Sequence, residues 1–580
     1  MFLDLFQKLS SSHSVAFVTK DNKQLTWFEY YLTCTRFANS LKKYEITGSV
    51  AIMGFNTPEW FMAAVGAIMN GNIYTGIYPT NGPEEVHHVL ETSEADVLVI
   101  ENVQLLQKIQ LKKSIKHILV YNETPEIKLY HDIPIKSFHD FCGESNTFRK
   151  ISLNTQQSDV ITYIMTSGTT SRSKAVSITY GNVSYTCEKM VERYNLRSER
   201  LVSYLPLSHI AASMLDIFCH FYHGGTVYFA KPDALQGSLV ETLKVGRPTV
   251  FLGVPRVWEK IMEKMKKTAE QKYAGTIGGI LKSIMDVAKS IALQYNDSQM
   301  NNERISKMTV VIYNICKLVF FRKIKKAIGL QECKLHLSGA APIAKDTLNY
   351  FSQIDIVIYE IFGMSETCGV ISGSGRNFYR KGSVGVPLIG EVKIADDGEI
   401  LYKGLNNFIG YKGNKEATDE TLDKDGWLHT GDIGTIDKDG FLYITGRKKE
   451  LIITAGGENV APVLIEQQIK KFAPEISQVI VIGDQKKFLS CLVTLPFLPN
   501  KTLATNGISA DWEDKKWQEY VQLAVDKYNA NPVSKAQKIQ KFVILPEDVT
   551  VENECMTPTM KMKRAVIAKK FKSQIDSMYL

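Results

Sequence analysis

Six hydroxyl side chains crowd the positions from Thr166 to Ser173 in the stretch MTSGTTSRSKAVSIT, with Gly168 among them and Lys174 directly after. Hydroxyls, backbone N–H groups and a cation gathered in one turn suit phosphate oxygens. The same composition also makes an ordinary exposed turn, since Ser, Thr and Gly are the usual loop residues. The flanks are ordered on either reading. DVITYIM before the turn is an apolar run of the buried-strand kind, and KAVSIT after it is a second. Asn182 then reads as the cap of a helix in which Val183, Cys187, Met190, Val191 and Tyr194 recur at helical spacing. A triphosphatase loop of the Walker kind is excluded, because it needs Gly directly before its Lys and Ser or Thr directly after. Ser173 and Ala175 stand there instead.

Other chemistry is sparse. His220 and His223 have no HExxH frame and no Cys partner, so they read as a core pair rather than a metal site. Nine scattered cysteines, an odd number without metal spacing, read as reduced thiols of an intracellular, cytoplasmic protein. The 69 basic and 61 acidic side chains leave a net charge of +8, which suits anionic ligands or an acidic membrane surface. With no arginine-rich tract, a nucleic-acid partner is not expected. The N-terminus lacks the basic lead and continuous apolar core of a signal peptide. No apolar run approaches the roughly 20 residues that span a bilayer. The nearest, TVVIYNICKLVFFRKIKKAIGL at 309–330, reads as a core-facing amphipathic helix, with an interfacial helix and peripheral membrane association as the alternative.

The elements that must hold these residues follow from pattern. A chain of 580 residues exceeds a single core, so two or more domains are expected. In the first third, VAIMGF is strand-like, and Thr57 and Pro58 open a helix that Gly71 stops. IYTGIYP, PEEVHHVLETS and ADVLVIEN then read as strand, helix and strand. Such alternation predicts mainly parallel, helix-covered sheets with ligands beyond the carboxyl ends of the strands. Residues from about 262 to 332 read as a lysine-rich helical insertion, after which CKLHLSGAAPI and IDIVIYEIFGMSE restore the strand pattern. Glycines and short strands between 383 and 445 suggest a β-rich subdomain, and a small α+β pattern follows GRKKELI. The fold class is α/β, with a large domain over 1–446 and a small C-terminal α+β domain over 447–580.

Six islands stand in order along this scaffold: YLPLSHI, SGAAP, YEIFGMSET, GWLHTGD, GRKKELIITAGGENV and TPTMKMKR. Together with the hydroxyl-rich turn they resemble the motif series of the adenylate-forming (AMP-binding) superfamily. Within it, GFNTPEWFMAAVGAIMNGNIYTGIYPTN, GVPRVWEKIMEKM and the helical insertion are similar to the long-chain acyl-CoA synthetases of the bubblegum type. The resemblance implies that a fatty acid and ATP give an acyl-adenylate and pyrophosphate, and that coenzyme A then displaces AMP. ATP, Mg2+ and coenzyme A are the cofactors and co-substrates it implies.

Residue by residue, Glu366 resembles the family's metal carboxylate and Thr166 its second metal contact. Ser167, Gly168, Thr169, Thr170 and Lys174 would hold the β- and γ-phosphates. Gly339, Ala340 and Ala341 would lie against adenine, with Tyr359, Phe362, Gly363, Met364 and Ser365 completing the nucleotide site; for the two aromatic rings, core packing is the alternative. Asp432 and Arg447 resemble the pair that fixes the ribose. His209 looks like the active-site histidine near the carboxylate, and Lys561 like the lysine that reaches the α-phosphate. Lys449 matches the hinge about which the mobile C-terminal domain swings, and Gly456 and Gly457 would let pantetheine pass close to the chain. Ser171, Ser173 and Ala175 depart from the family's glycine, proline and glycine, and Tyr180 stands where a histidine is common. That departure leaves room for a catalytically impaired acyl- or nucleotide-binding relative, or for another adenylate-forming enzyme.

Overall fold

Apolar runs too continuous to leave one face wet call for sheets covered on both sides, and Ser49–Met53, buried at every position, is the clearest of them. The computed structural model describes residues 2–107, 109, 111, 115–143, 155–166, 172–272, 276–455, 458–496, 511–557 and 561–580. Its largest sheet runs, in order, Lys174–Thr179, Val160–Thr166, Tyr74–Ile77, Ser49–Met53, Ala95–Ile100, His117–Val120, Ile133–Ser137 and Leu129–Tyr130. The inner pairings are parallel and an antiparallel pair closes each edge. Helix Pro58–Asn70 joins two of the parallel strands. Pro58 presets its first turn, and Gly71, left-handed at φ 85°, ends it.

The helix after the hairpin starts three residues earlier than its sequence pattern suggests. Thr179, not Asn182, is the cap of Tyr180–Tyr194. The Thr179 hydroxyl accepts from the Asn182 N–H at 3.1 Å, and the Asn182 side-chain oxygen accepts from the Thr179 N–H at 2.9 Å. This reciprocal box satisfies two donors where a single cap satisfies one.

In a second sheet Val250–Gly253, Leu335–Ser338 and Ile358–Met364 are parallel, and Gly369–Gly373 and Val386–Pro387 follow antiparallel. The helical insertion lies between its first two strands as Pro255–Lys272, Thr276–Asn301, Lys307–Cys316 and Arg322–Ala327, with a π-helical turn at Lys317–Phe321. Its run 309–330 is not simply core-facing: Tyr313, Cys316 and Phe321 are buried while Val311, Ile315 and Leu318 are exposed. A third sheet pairs Val15–Val18 and Gln24–Thr26 with Thr226–Phe229 and Arg200–Ser203. Helix Phe2–Leu9 packs Phe2 on Tyr180 and Phe6 on Tyr30.

His220 and His223 are indeed a core pair. His220 Nε2 donates to the Gly225 carbonyl at 3.0 Å, the Gly225 N–H donates to His223 Nδ1 at 3.0 Å, and the Trp27 ring lies 4.3 Å from that of His220. Burial pushes both imidazoles down, His223 to about 4. All nine cysteines are free.

Glu391–Ile394, Glu399–Lys403, Leu428–Ile436 and Leu442–Arg447 form a four-stranded sheet in that order. By its contacts the chain divides into two units: 1–392 with 402–429 and 440–442, and 393–401 with 430–439 and 443–580. The second has its own core, in which Ile465, Ile469, Val481, Cys491 and Trp517 are buried between helices Pro462–Phe472 and Lys515–Asn529 and the sheet Gln478–Ile482, Leu489–Thr494 and Ile539–Ile544. Among the described residues no helix is long and apolar enough to cross a membrane.

Candidate active site

Strand Val160–Thr166 precedes the hydroxyl-rich stretch and Lys174–Thr179 follows it, the two pairing antiparallel with Thr166 opposite Lys174. Ser167, Gly168, Thr169, Thr170 and Ser171 lie outside the described residues. The described residues on either side of that stretch are held. The Thr166 hydroxyl donates to the Lys174 carbonyl at 3.3 Å. At the exit the Ser173 hydroxyl donates to the Glu85 carboxylate, and the Ser173 carbonyl accepts from His88 Nε2 at 2.8 Å. Glu85 and His88 stand three apart on helix Pro83–Thr92 and so share a face.

From this hairpin a short chain of contacts leads to Glu366. Lys174 Nζ lies 4.8 Å from the centroid of the Tyr411 ring, and the Tyr411 hydroxyl donates to Glu366 Oε1 at 2.7 Å. Tyr411 is placed by backbone pairing: Val176 stands opposite it, the Ser177 N–H donates to the Gly410 carbonyl at 3.0 Å, and the Lys412 N–H donates to the Ala175 carbonyl at 2.9 Å. Glu366 is only 7% exposed, on the single turn Ser365–Thr367. Asn406 braces that turn, donating to the Thr367 carbonyl at 2.7 Å and accepting from the Tyr402 hydroxyl at 2.5 Å. Burial, reinforced by the Glu366 charge, pushes the Tyr411 phenol well up, so it stays protonated and remains a donor. Oε2 of Glu366 accepts no hydrogen bond among the described residues.

The nucleotide-site candidates sit at strand ends. Gly339, Ala340 and Ala341 follow Leu335–Ser338 at its carboxyl end, and Ala340 is left-handed at φ 70°. Strand Ile358–Met364 is irregular between Phe362 and Gly363, where a Cβ on Gly363 would fall 1.8 Å from the Gly369 carbonyl oxygen. Met364 donates its N–H to the Thr367 hydroxyl at 3.2 Å. Tyr359 is buried edge-to-face on Tyr379 at 5.4 Å, whereas Phe362 is half-buried. His209 caps Ile210–Ala212, its Nδ1 accepting from the Ala211 N–H at 3.3 Å, which puts the proton of a neutral ring on Nε2. Its loop crosses the sheet over Gly76, where a Cβ would lie 2.7 Å from Ser208 Cα.

Within the second unit, Asp432 on Leu428–Ile436 and Arg447 at the end of Leu442–Arg447 form an ion pair of 3.1 Å. The carboxylate is 7% exposed and the guanidinium 51%. Burial raises the Asp432 carboxyl above the ordinary range, while Arg447 and then Lys561 pull it back. Lys561 is therefore close enough for its charge to act on Asp432. The Lys561 N–H donates to the Thr557 hydroxyl at 3.0 Å, and its carbonyl accepts from the Thr557 N–H at 2.8 Å; residues 558–560 between them lie outside the described residues. Lys449 is exposed on the turn Lys448–Glu450, beside Lys448, which pairs with Asp397 at 2.7 Å and Glu399 at 3.0 Å. Gly456 and Gly457 lie outside the described residues.

Two family models cover most of the chain: that of the AMP-binding enzymes matches residues 7–412, and that of the AMP-binding enzyme C-terminal domain matches 449–580. The chain belongs to the AMP-binding enzymes. Within that family it is 39% identical to the long-chain-fatty-acid–CoA ligase ACSBG2 of Gallus gallus, over 99% of this chain and 81% of that protein. It is 34% identical to ACSBG1 of Rattus norvegicus, over 100% and 85%. These are ligases of the bubblegum type. Among solved structures it is similar to o-succinylbenzoate CoA synthetase of Bacillus subtilis in complex with an acyl-adenylate intermediate, with a TM-score of 0.70 and 20% identity over 97% of each chain. It is also similar to the adenylation domain of a carboxylate reductase of Mycobacterium chelonae, with a TM-score of 0.74 and 17% identity over 100% and 91%. Those two likenesses establish the adenylate-forming fold.

Against the motif islands of the AMP-binding family, Tyr411, Asn406, Glu85 and His88 are additions that sequence reading missed. Tyr411 left one signal, the pair of glycines flanking it in GYKG, left-handed at φ 136° for Gly410 and 68° for Gly413. The others left none, since along a sequence a Glu, a His or an Asn is expected at the surface, whereas Asn406 is fully buried.

Proposed function

We propose that this chain is an ATP-dependent fatty acid:CoA ligase of the AMP-forming kind. A fatty-acid carboxylate attacks the α-phosphate of ATP, giving an acyl-adenylate and pyrophosphate; the coenzyme A thiol then displaces AMP to give the thioester. The observation that carries the reading is the run Lys174–Tyr411–Glu366 at the foot of the hydroxyl-rich turn, in a chain 39% identical to a long-chain-fatty-acid–CoA ligase.

Attack by a carboxylate on a polyanion brings like charges together, so fixed cations and donors must offset the repulsion. Lys174 and the hydroxyls of Ser167, Thr169 and Thr170 bind the β- and γ-phosphates in this reading, with Gly168 admitting the close approach. Glu366 Oε2 and the Thr166 hydroxyl fit Mg2+. No group of three or more acidic, His or Cys ligands exists among the described residues, and magnesium commonly takes one or two protein oxygens while keeping waters and substrate phosphate oxygens. Bound there, it supplies Lewis-acid polarisation of the phosphoryl oxygens. Tyr411 holds Oε1 and so orients the carboxylate.

Asp432 accepts from the ribose hydroxyls and Arg447 holds its carboxylate in place. Gly339, Ala340 and Ala341, with Tyr359, Phe362, Gly363, Met364 and Ser365, border the nucleotide. Lys561 offsets charge on the α-phosphate, a reading its influence on Asp432 supports. His209, with its proton on Nε2, stands near the reacting carboxylate. Residues 1–446 act as the adenylation domain; 447–580 swing about Lys449 for thioester formation, with Gly456 and Gly457 beside pantetheine. The enzyme works in the cytoplasm, peripherally on a membrane.

The test is fatty-acid-dependent ATP–pyrophosphate exchange across acids of increasing chain length, with Lys561→Ala alongside. Exchange with long-chain acids that falls about a hundredfold in the variant is expected. Folded protein that binds ATP yet exchanges with no acid would overturn the reading.

A further inference from the structure

The helix that begins at Lys307 carries two apolar faces. Its inward face sets Tyr313, Cys316 and Phe321 into the core, with Tyr313 stacked on Tyr295 of the neighbouring helix Thr276–Asn301 at 3.8 Å. On its outward face Met308, Val311, Ile312, Ile315, Leu318 and Val319 recur at helical spacing. Met308 is 73% exposed, Leu318 60%, Val311 58% and Ile315 55%. On the neighbouring helix Ile280 and Val287 are also more than half exposed. Single exposed apolar side chains are normal, but a stripe of helix length marks contact with something apolar.

Charge narrows what that something is. The helix runs on into Arg322, Lys323 and Lys326, and starts at Lys307; these four cations are exposed and form no ion pair among the described residues. Lys317 and Lys325, by contrast, are occupied by Asp355 at 3.8 and 2.6 Å. Between 276 and 327 nine Lys and Arg stand against three Asp and Glu. A second copy of the chain would set this cationic cluster against itself. An apolar helix face with cations at its end complements a surface with an apolar interior and anionic headgroups.

We infer that the outward face of Lys307–Ala327 docks on a bilayer containing anionic phospholipid, the helix lying in the headgroup plane. Docking itself does not depend on the proposed reaction. The use of docking does rest on that reading: acids too apolar to circulate freely would be drawn from the lipid, and acyl thioesters delivered beside it.

The test is sedimentation of the full-length chain with vesicles of phosphatidylcholine, alone or with phosphatidylserine, at low and high salt. Wild type is expected to bind the anionic vesicles about tenfold or more tightly than the neutral ones, and to lose that preference at high salt. Val311→Glu/Ile315→Glu/Leu318→Glu should lower binding to both vesicles about tenfold or more. Arg322→Glu/Lys323→Glu/Lys326→Glu should abolish the preference for anionic lipid while leaving the apolar stripe intact. Every altered side chain in the first set, and Arg322, Lys323 and Lys326 in the second, is exposed, so melting temperatures should match wild type. Exchange with a short, water-soluble acid should also match, so failure of docking and failure of the enzyme reading are told apart. Vesicle binding unchanged in either variant would overturn the inference. So would wild type that ignores vesicles but dimerises in sedimentation velocity through this face.

Discussion

Tyr411→Phe removes one hydroxyl and leaves the ring beneath Lys174, so it isolates the 2.7 Å bond to Glu366. A hydrogen bond to a charged acceptor contributes about 1.5–3 kcal/mol. At 1.36 kcal/mol per decade this is roughly ten- to 150-fold in rate, if the bond is what holds Glu366 in its working orientation. Solvent does little to discount it, since Glu366 is almost fully buried and the phenol is also buried. The assay is ATP–pyrophosphate exchange titrated with Mg2+ at fixed ATP and acid. Exchange should fall by that factor, with half-saturation moving to higher Mg2+. Tyr411→Leu also deletes the ring beneath Lys174, which adds about 0.5–2 kcal/mol, or roughly two- to thirtyfold more. Urea unfolding separates function from folding, because a merely structural Tyr411 would lower stability without moving the Mg2+ dependence. Exchange by Tyr411→Phe within about twofold of wild type at every Mg2+ concentration would refute the orienting role, since that is below the loss of even a neutral hydrogen bond.

Asp432→Asn should separate stability from activity. Burial raises the Asp432 carboxyl, so its contribution to folding is fully present below the ordinary value of 3.8 and is lost as pH rises through the raised one. The variant, which cannot ionise, should melt higher than wild type at neutral pH, converge with it in acid, and exchange about tenfold or more slowly; a melting-temperature difference that does not change with pH would count against this. Arg564→Ala should destabilise the second unit by about 3–5 kcal/mol. Arg564 is 19% exposed and donates two 2.7 Å bonds to Glu466 and a 3.2 Å bond to Glu450, so its removal strands buried charge. Urea unfolding of the full chain reads the change, and a loss below about 1 kcal/mol would place the pair among ordinary surface bridges.

Much of the scaffold was legible along the chain because local terms decide it. Pro58 and Gly71 bound a helix through sterics that involve only their own dihedrals, and the buried run at Ser49–Met53 announces a covered strand without reference to its partners. The order of the motif islands was legible for the same reason, each being a contiguous string. Even locally the reading slipped where two signals competed: Asn182 has the composition of a cap, but Thr179 three residues before it completes a reciprocal box and wins.

Distant pairings are another matter. Tyr411 meets Glu366 across 45 residues only because Gly410–Lys412 pairs with the edge strand Lys174–Thr179, and nothing in GYKG says which edge it will find. The clamp of Glu85 and His88 on Ser173 likewise exists only once a helix is laid beside the hairpin. The run at 309–330 has apolar residues on both sides, so periodicity alone cannot assign one side to the core. Tyr313 meeting Tyr295 settled it, and by the same rotation left Val311, Ile315 and Leu318 facing out. Periodicity, caps and charge are set by neighbours a few residues away and are written in the chain; which edge, ring or face a segment meets depends on contacts that form only when the whole domain has folded.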